Sequence, residues 1–331
     1  MRSEKGTLGQ ASVEESNKHF SRQRICRILR RINSETMSDS QQEMFGGTWT
    51  REKLSRVQKY LSAYCQIFKE GARGAYFQTT YVDAFAGTGY LRRPDMPVAV
   101  LFPDEFAELS KEAEEYSKGS ALRALEVKPG FDHYIFVEND PERAEELQSV
   151  ADRFPHKDIK IAVEDANTCI QRWCRNTDWR RNRAVVFLDP FGMQVEWKTI
   201  EAVATTRAID IWILFPIFGV NRMLVRHGKP PESWRVRLTS VFGTDKWEDE
   251  FYTVKKSPFF EGVEVVEKTA NITKIAEFFI NRLKRIFEGL AEPLVLRNKR
   301  GAPLFVLAFA AGNKRGAPTA LRIARHILTS S

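Results

Sequence analysis

The chain has 331 residues, 43% of them hydrophobic, and carries a formal net charge of +8. That length and apolar content suit one large domain or two small ones with a sizeable core. They leave no apolar run of the ~20 residues a membrane helix needs, and the first residues lack the apolar stretch of a secretory signal.

The four cysteines, Cys26, Cys65, Cys169 and Cys174, show no CxxC spacing, and the step from Cys169 to Cys174 fits no common zinc pattern. They read as reduced structural thiols of a cytoplasmic protein. The five histidines show no HxH, HxxxH or HExxH spacing, so no metal site is expected. The charge is uneven. Residues 1–36 hold eight Lys/Arg against four Asp/Glu, residues 293–331 hold seven and no acid, and the body between is mildly acidic. Basic ends suit nucleic acid, although solvated charge explains most single runs.

In chain order, residues 1–44 read as a polar, basic, disordered leader, with Met37 as an alternative start. Residues 45–331 read as one domain with insertions at about 91–118 and 220–269. Thr48 to Lys69 predicts an amphipathic helix, with Leu54, Val57, Leu61 and Tyr64 on one face, Thr50 as N-cap and Lys53 at the capping-box position. "YVDAF" predicts a buried strand. Four more strands follow, in "YIFVEND", "IKIAVEDAN", "AVVFLDPFG" and "IDIWILFP", with helical patterns such as "SALRALEV" and "PERAEELQSVADRF" between them. Strands alternating with helices predict a parallel α/β sheet. The stretch 220–269 is charged and broken. Asn271 to Leu290 predicts a helix, and Leu294 to Pro318 two antiparallel strands whose turns carry the repeated hexapeptide NKRGAP.

The acids Asp83, Glu138, Asp165 and Asp189 stand at the ends of successive strands, where α/β sheets bind ligands. "DAFAGTG" lacks the lysine of a P-loop and the third glycine of a dinucleotide fingerprint. S-adenosylmethionine fits better. The small residues Gly87 and Gly89 let backbone approach the methionine moiety, with Phe85 in the same cofactor-binding loop, Asp83 engages its ammonium, Glu138 takes the ribose hydroxyls and Asp165 the adenine amino group. Plainer readings stand beside these: a tight turn for the glycines, a helix start after Glu138, and a turn or N-cap for Asp165.

The ordered series "YVDAFAGTG", "GSALRAL", "FVEND", "EDAN" and "FLDPFG" resembles the three-Cys-motif partner (TcmP) family, from about Trp49 to the C-terminus. The resemblance implies a methyltransferase-like Rossmann fold. Its sheet would be mostly parallel and seven-stranded with the last strand antiparallel, plus a helical or irregular insertion. It also implies a partner protein bearing the three-Cys motif. "FLDPFG" is similar to the D-P-P-[YF] motif of amino-methyltransferases, which would give Asp189 and the Pro190 carbonyl the acceptor amino group and Phe191 the stacking role. Phe191 stands where the second proline should be, and a structural Asp189 is the alternative. Arg297, Lys299, Arg300, Lys314 and Arg315 are the candidate nucleic-acid contacts, expected in two separate patches. Two other functions compete with methyl transfer: a non-catalytic module that binds nucleic acid or its partner, and a magnesium nuclease built on Asp189, Glu196 and Asp165.

Overall fold

The computed structural model describes residues 48–69, 76–87, 119–190, 192–256, 264–298 and 300–329. The expected leader, the insertion at 91–118, and Gly89, Phe191 and Lys299 lie outside the described residues.

Helix α1 (Thr48–Lys69) spans the whole predicted stretch, so Thr50 lies inside the helix rather than capping it. After it come β1 (Gln78–Asp83), helix α2 (119–126), β2 (His133–Glu138), α3 (Pro141–Ala151), β3 (Asp158–Val163), α4 (Ala166–Asn176), β4 (Asn182–Leu188), α5 (Trp197–Thr205) and β5 (Ile209–Phe215). The second half holds α6 (Ile217–Met223), α7 (Glu232–Phe242), α8 (Trp247–Phe251), β6 (Tyr252–Lys256), β7 (Glu264–Lys268), α9 (Ile272–Ile286), β8 (Gly289–Leu290), β9 (Leu294–Arg297), β10 (Pro303–Ala311) and α10 (Ala317–Thr329).

The main sheet has the order β3-β2-β1-β4-β5-β10-β8, with β9 also paired to β10. The five strands β1 to β5 are parallel, and β10 is antiparallel to β5. Eight strands stand where seven were expected, for a local reason. Leu290 pairs with Ala310 and Leu294 with Leu307, so β8 and β9 are two pieces of one interrupted edge strand. Across the sheet there are still seven positions.

Alternation along each strand divides the core. Val186, Leu188, Ile211 and Ile213 face a cluster shared with α4, α5, α6 and α9. Val185, Phe187, Trp212 and Leu214 face the opposite cluster, built on α1, α2 and α10. With both faces covered, the strands read as continuous apolar runs, as parallel sheets require.

The described parts of 220–269 are more regular than their charge pattern predicts. Leu238, Val241, Phe242, Trp247 and Phe251 recur at near-helical spacing and are buried against α9, while the charges lie outside. β6 and β7 form a separate two-stranded ribbon. The helix predicted from Asn271 begins with Asn271 as its N-cap, accepting the Lys274 amide at 2.8 Å, and ends at Ile286, because Gly289 and Leu290 join the sheet. Among the described residues no helix is long and apolar enough to cross a membrane.

Candidate functional site

The chain runs outward from β1 to β2 and β3, then returns to place β4 on the other side of β1. The order therefore reverses between β1 and β4, the place where open α/β sheets bind their ligands. The loop after β1 straddles this point. The Ala84 amide donates to the Phe187 carbonyl of β4 (3.1 Å), and the Ala86 amide to the Val137 carbonyl of β2 (3.0 Å). Phe85 is half-buried against the core.

Asp83, the last residue of β1, is fully buried, and its Oδ1 has no hydrogen-bond partner among the described residues. Burial, aided by the neighbouring Asp189 carboxylate, pushes its carboxyl up to about 7 against the pull of Ser120, the Phe85 amide and Lys53. Leaving a buried acceptor unpaired costs about 1–3 kcal/mol.

Glu138 ends β2 and reaches back over the glycine loop. A Cβ on Gly87 would lie 1.5 Å from Glu138 Oε2, so only glycine admits the carboxylate there. Glu138 Oε1 accepts the Asp140 amide at 2.9 Å, and burial raises the carboxyl above the ordinary glutamate range. The helix start after Glu138 is real, but Asp140 caps it, accepting the Glu142 and Arg143 amides ahead of Pro141. Glu138 therefore does not cap the helix, and its Oε2 lies against Gly87 of the loop.

Asp165 is exposed and stands at the N-cap of α4, accepting the Thr168 amide at 2.8 Å. It belongs to the rim, two residues past β3, but its capping work is structural.

Asp189 follows β4 directly, and its partner was not legible from the motif. Lys53 Nζ lies 2.5 Å from Asp189 Oδ2, with the two side chains only 5% and 17% exposed. Lys53 comes from the second turn of α1, 136 positions away in sequence. The one trace of it in the sequence is a lysine where a capping box would have glutamate. Pro190 is buried, and Gly192 sits at φ 85°, a left-handed backbone that favours glycine. Asn167, the last residue of "EDAN", was also missed. Its Oδ1 accepts the Glu196 amide (3.0 Å) and the Thr199 hydroxyl (2.8 Å), and its Nδ2 donates to the Gln194 carbonyl (3.0 Å). It ties α4 to the loop that follows Asp189. Beyond this loop an apolar cleft runs between the ends of β4 and β5, lined by Pro190, Met193, Phe215 and Pro216.

Glu196 occupies the N-cap position of α5, and among the described residues no three metal-ligating side chains come together. The basic candidates divide. Val306 pairs with Phe215 and Ala310 with Ile211, so β10 runs from the carboxyl edge of the parallel strands to their amino edge. The turn with Arg297 and Arg300 therefore lies on the site's edge, and Lys314 and Arg315 lie on the opposite one. Arg297 Nη1 donates to the Gly301 carbonyl at 2.9 Å, and Arg300, Lys314 and Arg315 are exposed.

Strand order, the antiparallel strand beside β5 and the acid-lined switch point define a methyltransferase-like Rossmann fold. No family model matches the chain, and no curated protein matches it. Among solved structures it is similar to a Legionella pneumophila protein of the DUF519 family, at 14% identity over 86% of this chain and 93% of that one, with a TM-score of 0.43. A Thermobifida fusca protein provisionally named a methyltransferase is 11% identical over 81% and 84%, with a TM-score of 0.33. A Methanosarcina mazei SAM-dependent methyltransferase is 12% identical over 72% and 94%, with a TM-score of 0.25. Overlaps this loose add no argument, and the class rests on the topology.

Proposed function

We propose that this chain is an S-adenosylmethionine-dependent methyltransferase of the three-Cys-motif partner family. In this reading it acts on an amino group of a nucleic acid and works with a three-Cys-motif protein. The observation that carries the reading is the buried Oδ1 of Asp83, unpaired among the described residues, beside the Lys53–Asp189 pair, on the rim where Glu138 overlies Gly87. These residues fit the cofactor: Asp83 for its ammonium, Glu138 for its ribose, Asp165 for its adenine, and the 84–87 backbone for close approach. When bound, S-adenosylmethionine supplies a methyl group on a positively charged sulfur, already activated for attack. The protein's task is then orientation. In this reading Asp189 and the Pro190 carbonyl would accept hydrogen bonds from the acceptor amino group, and Phe191, which lies outside the described residues, would stack on a flat acceptor. The Arg297–Arg300 turn supports a nucleic-acid acceptor because it shares the edge of this site. The free, buried thiols of Cys65, Cys169 and Cys174 are in keeping with a reducing cytoplasm.

A second reading, a non-catalytic module, is favoured by the same ion pair, since Lys53 by itself satisfies one oxygen of Asp189. Two measurements separate them. Calorimetry with S-adenosylmethionine and S-adenosylhomocysteine tests the cofactor, and tritiated methyl transfer to host RNA, DNA and protein, with the partner added, tests turnover. Under the first reading Asp189→Ala keeps S-adenosylhomocysteine affinity and loses transfer. Cofactor binding with no transfer by the wild type selects the second reading, and no cofactor binding rejects the first outright.

A further inference from the structure

Lys53 is not needed to fasten α1. The helix already buries Leu54, Val57 and Leu61, donates the Tyr60 hydroxyl to Asp210 at 2.7 Å, and sets the Arg56 guanidinium against the Ile327 carbonyl. A buried ion pair is also a poor source of stability, because desolvation offsets the attraction. The ammonium is nonetheless held on two sides. Asp189 takes it at 2.5 Å, and the Trp49 ring lies 5.3 Å from Nζ and stacks on Phe305 at 4.8 Å. Asp83, Asp189 and Lys53 thus share one small rim, at the point where the strand order reverses.

We propose that Lys53 is a positioning residue: it cancels the charge of Asp189 while leaving one carboxylate oxygen open, so that this rim accepts a neutral amino group and turns away a protonated amine. The proposal rests on the methyl-transfer reading above and names its acceptor class. Without Lys53, two neighbouring carboxylates would draw any cation, including a lysine-type amine that has no lone pair to be methylated. With Lys53 in place, a further ammonium meets a fixed positive charge in a site where charges are weakly screened. A neutral aromatic amine, such as the exocyclic amino group of a base, needs only an acceptor for its N–H. Lys53 occupies Oδ2 of Asp189, so Oδ1 is the oxygen that would accept that N–H.

The same charge bears on the sulfur of the cofactor, which gives a test independent of turnover. S-adenosylmethionine carries a cationic sulfur and S-adenosylhomocysteine a neutral one, so their affinity ratio reports the local charge. Calorimetry on Lys53→Met is expected to raise the preference for S-adenosylmethionine by about tenfold, and Asp189→Asn to lower it by about the same factor. The double variant returns the ratio to near the wild-type value, and Lys53→Arg preserves it. With S-adenosylhomocysteine bound, so that its own ammonium occupies Asp83, n-butylammonium, a lysine side-chain mimic, is expected to bind Lys53→Met and not the wild type. If Lys53→Met does not fold, Asp189→Asn and the double variant carry the comparison. Cofactor binding with one unchanged ratio in every variant that folds overturns the proposal and leaves the methyltransferase reading standing. A wild type that binds neither compound overturns both.

Discussion

Gly87 and Glu138 act as one unit, because the space a Gly87 side chain would need is filled by the Glu138 carboxylate. Gly87→Ala should displace that carboxylate and imitate Glu138→Ala. Each is expected to weaken S-adenosylmethionine binding at least about tenfold, the scale of a charge-assisted hydrogen bond of about 1.5–3 kcal/mol. Calorimetry decides it, and unchanged affinity in Glu138→Ala removes Glu138 from the site. Asp83 gives the rim a pH dependence. Its folded carboxyl keeps a proton up to about 7, whereas an unfolded aspartate loses it near 4. The contribution of Asp83 to stability is thus fully present below about pH 4 and is lost as pH rises toward 7. Cation binding follows the opposite course, since only the ionised carboxylate attracts an ammonium. S-adenosylmethionine affinity should therefore rise from pH 5.5 to pH 8 in the wild type, and this rise should be flatter in Asp83→Asn. Equal slopes would discard Asp83 as the ammonium partner.

At the scale of elements, α1 is the pillar of the site. Lys53 meets Asp189 at the carboxyl edge, and two turns later Tyr60 donates to Asp210, which also accepts the Gly312 amide at 3.2 Å. Burial pushes the Asp210 carboxyl up to about 6, with the Tyr60 hydroxyl pulling it down. Tyr60→Phe should cost about 1–3 kcal/mol by leaving that oxygen short of a donor, read as a lower urea midpoint with an unchanged slope. No loss would mean that Asp210 is served from elsewhere. The existence and order of these elements were legible because apolar period carries them, and their limits were not. The first strand begins at Gln78 rather than Tyr81, because polar Gln78, Thr79 and Thr80 pair with β4. Thr79 is further held by Asp132, which takes its amide at 2.8 Å and its hydroxyl at 2.7 Å. In 220–269 the many charges masked a helical apolar spacing whose partner, α9, lies later in the chain.

Across the whole molecule, one hexapeptide serves two edges. In the first copy Asn298 Oδ1 accepts the Arg300 and Ala302 amides, and in the second Asn313 Oδ1 accepts the Gly316 amide. The local device repeats, while β10, at roughly 3.3 Å per residue, carries the two copies about 25–30 Å apart. A nucleic acid engaged at the site should touch the first turn. Replacing Arg297 and Arg300 with glutamate is expected to weaken binding of host RNA or DNA and to flatten its salt dependence by about one unit of slope per lost phosphate contact. The same change at Lys314 and Arg315 should have the smaller effect. Equal effects from both pairs would mean a polyanion spread over both edges, and no effect from either would return these residues to ordinary solvated turns.

The sequence by itself determined the alternation of strands and helices, the glycine loop and the acids Asp83, Glu138 and Asp189 at strand ends. Each of these depends on the period of apolar residues and on what immediately follows it, and both are local. Tertiary structure alone decided what the acids touch. It put Lys53 on Asp189, Glu138 over Gly87 and Asn167 under the loop after β4, and it broke the last edge strand into β8 and β9. Pairings such as Lys53 with Asp189, 136 residues apart, arise only when the strand order reverses beside β1 and α1 closes over the sheet. No local pattern encodes which distant side chain will neutralise a buried charge.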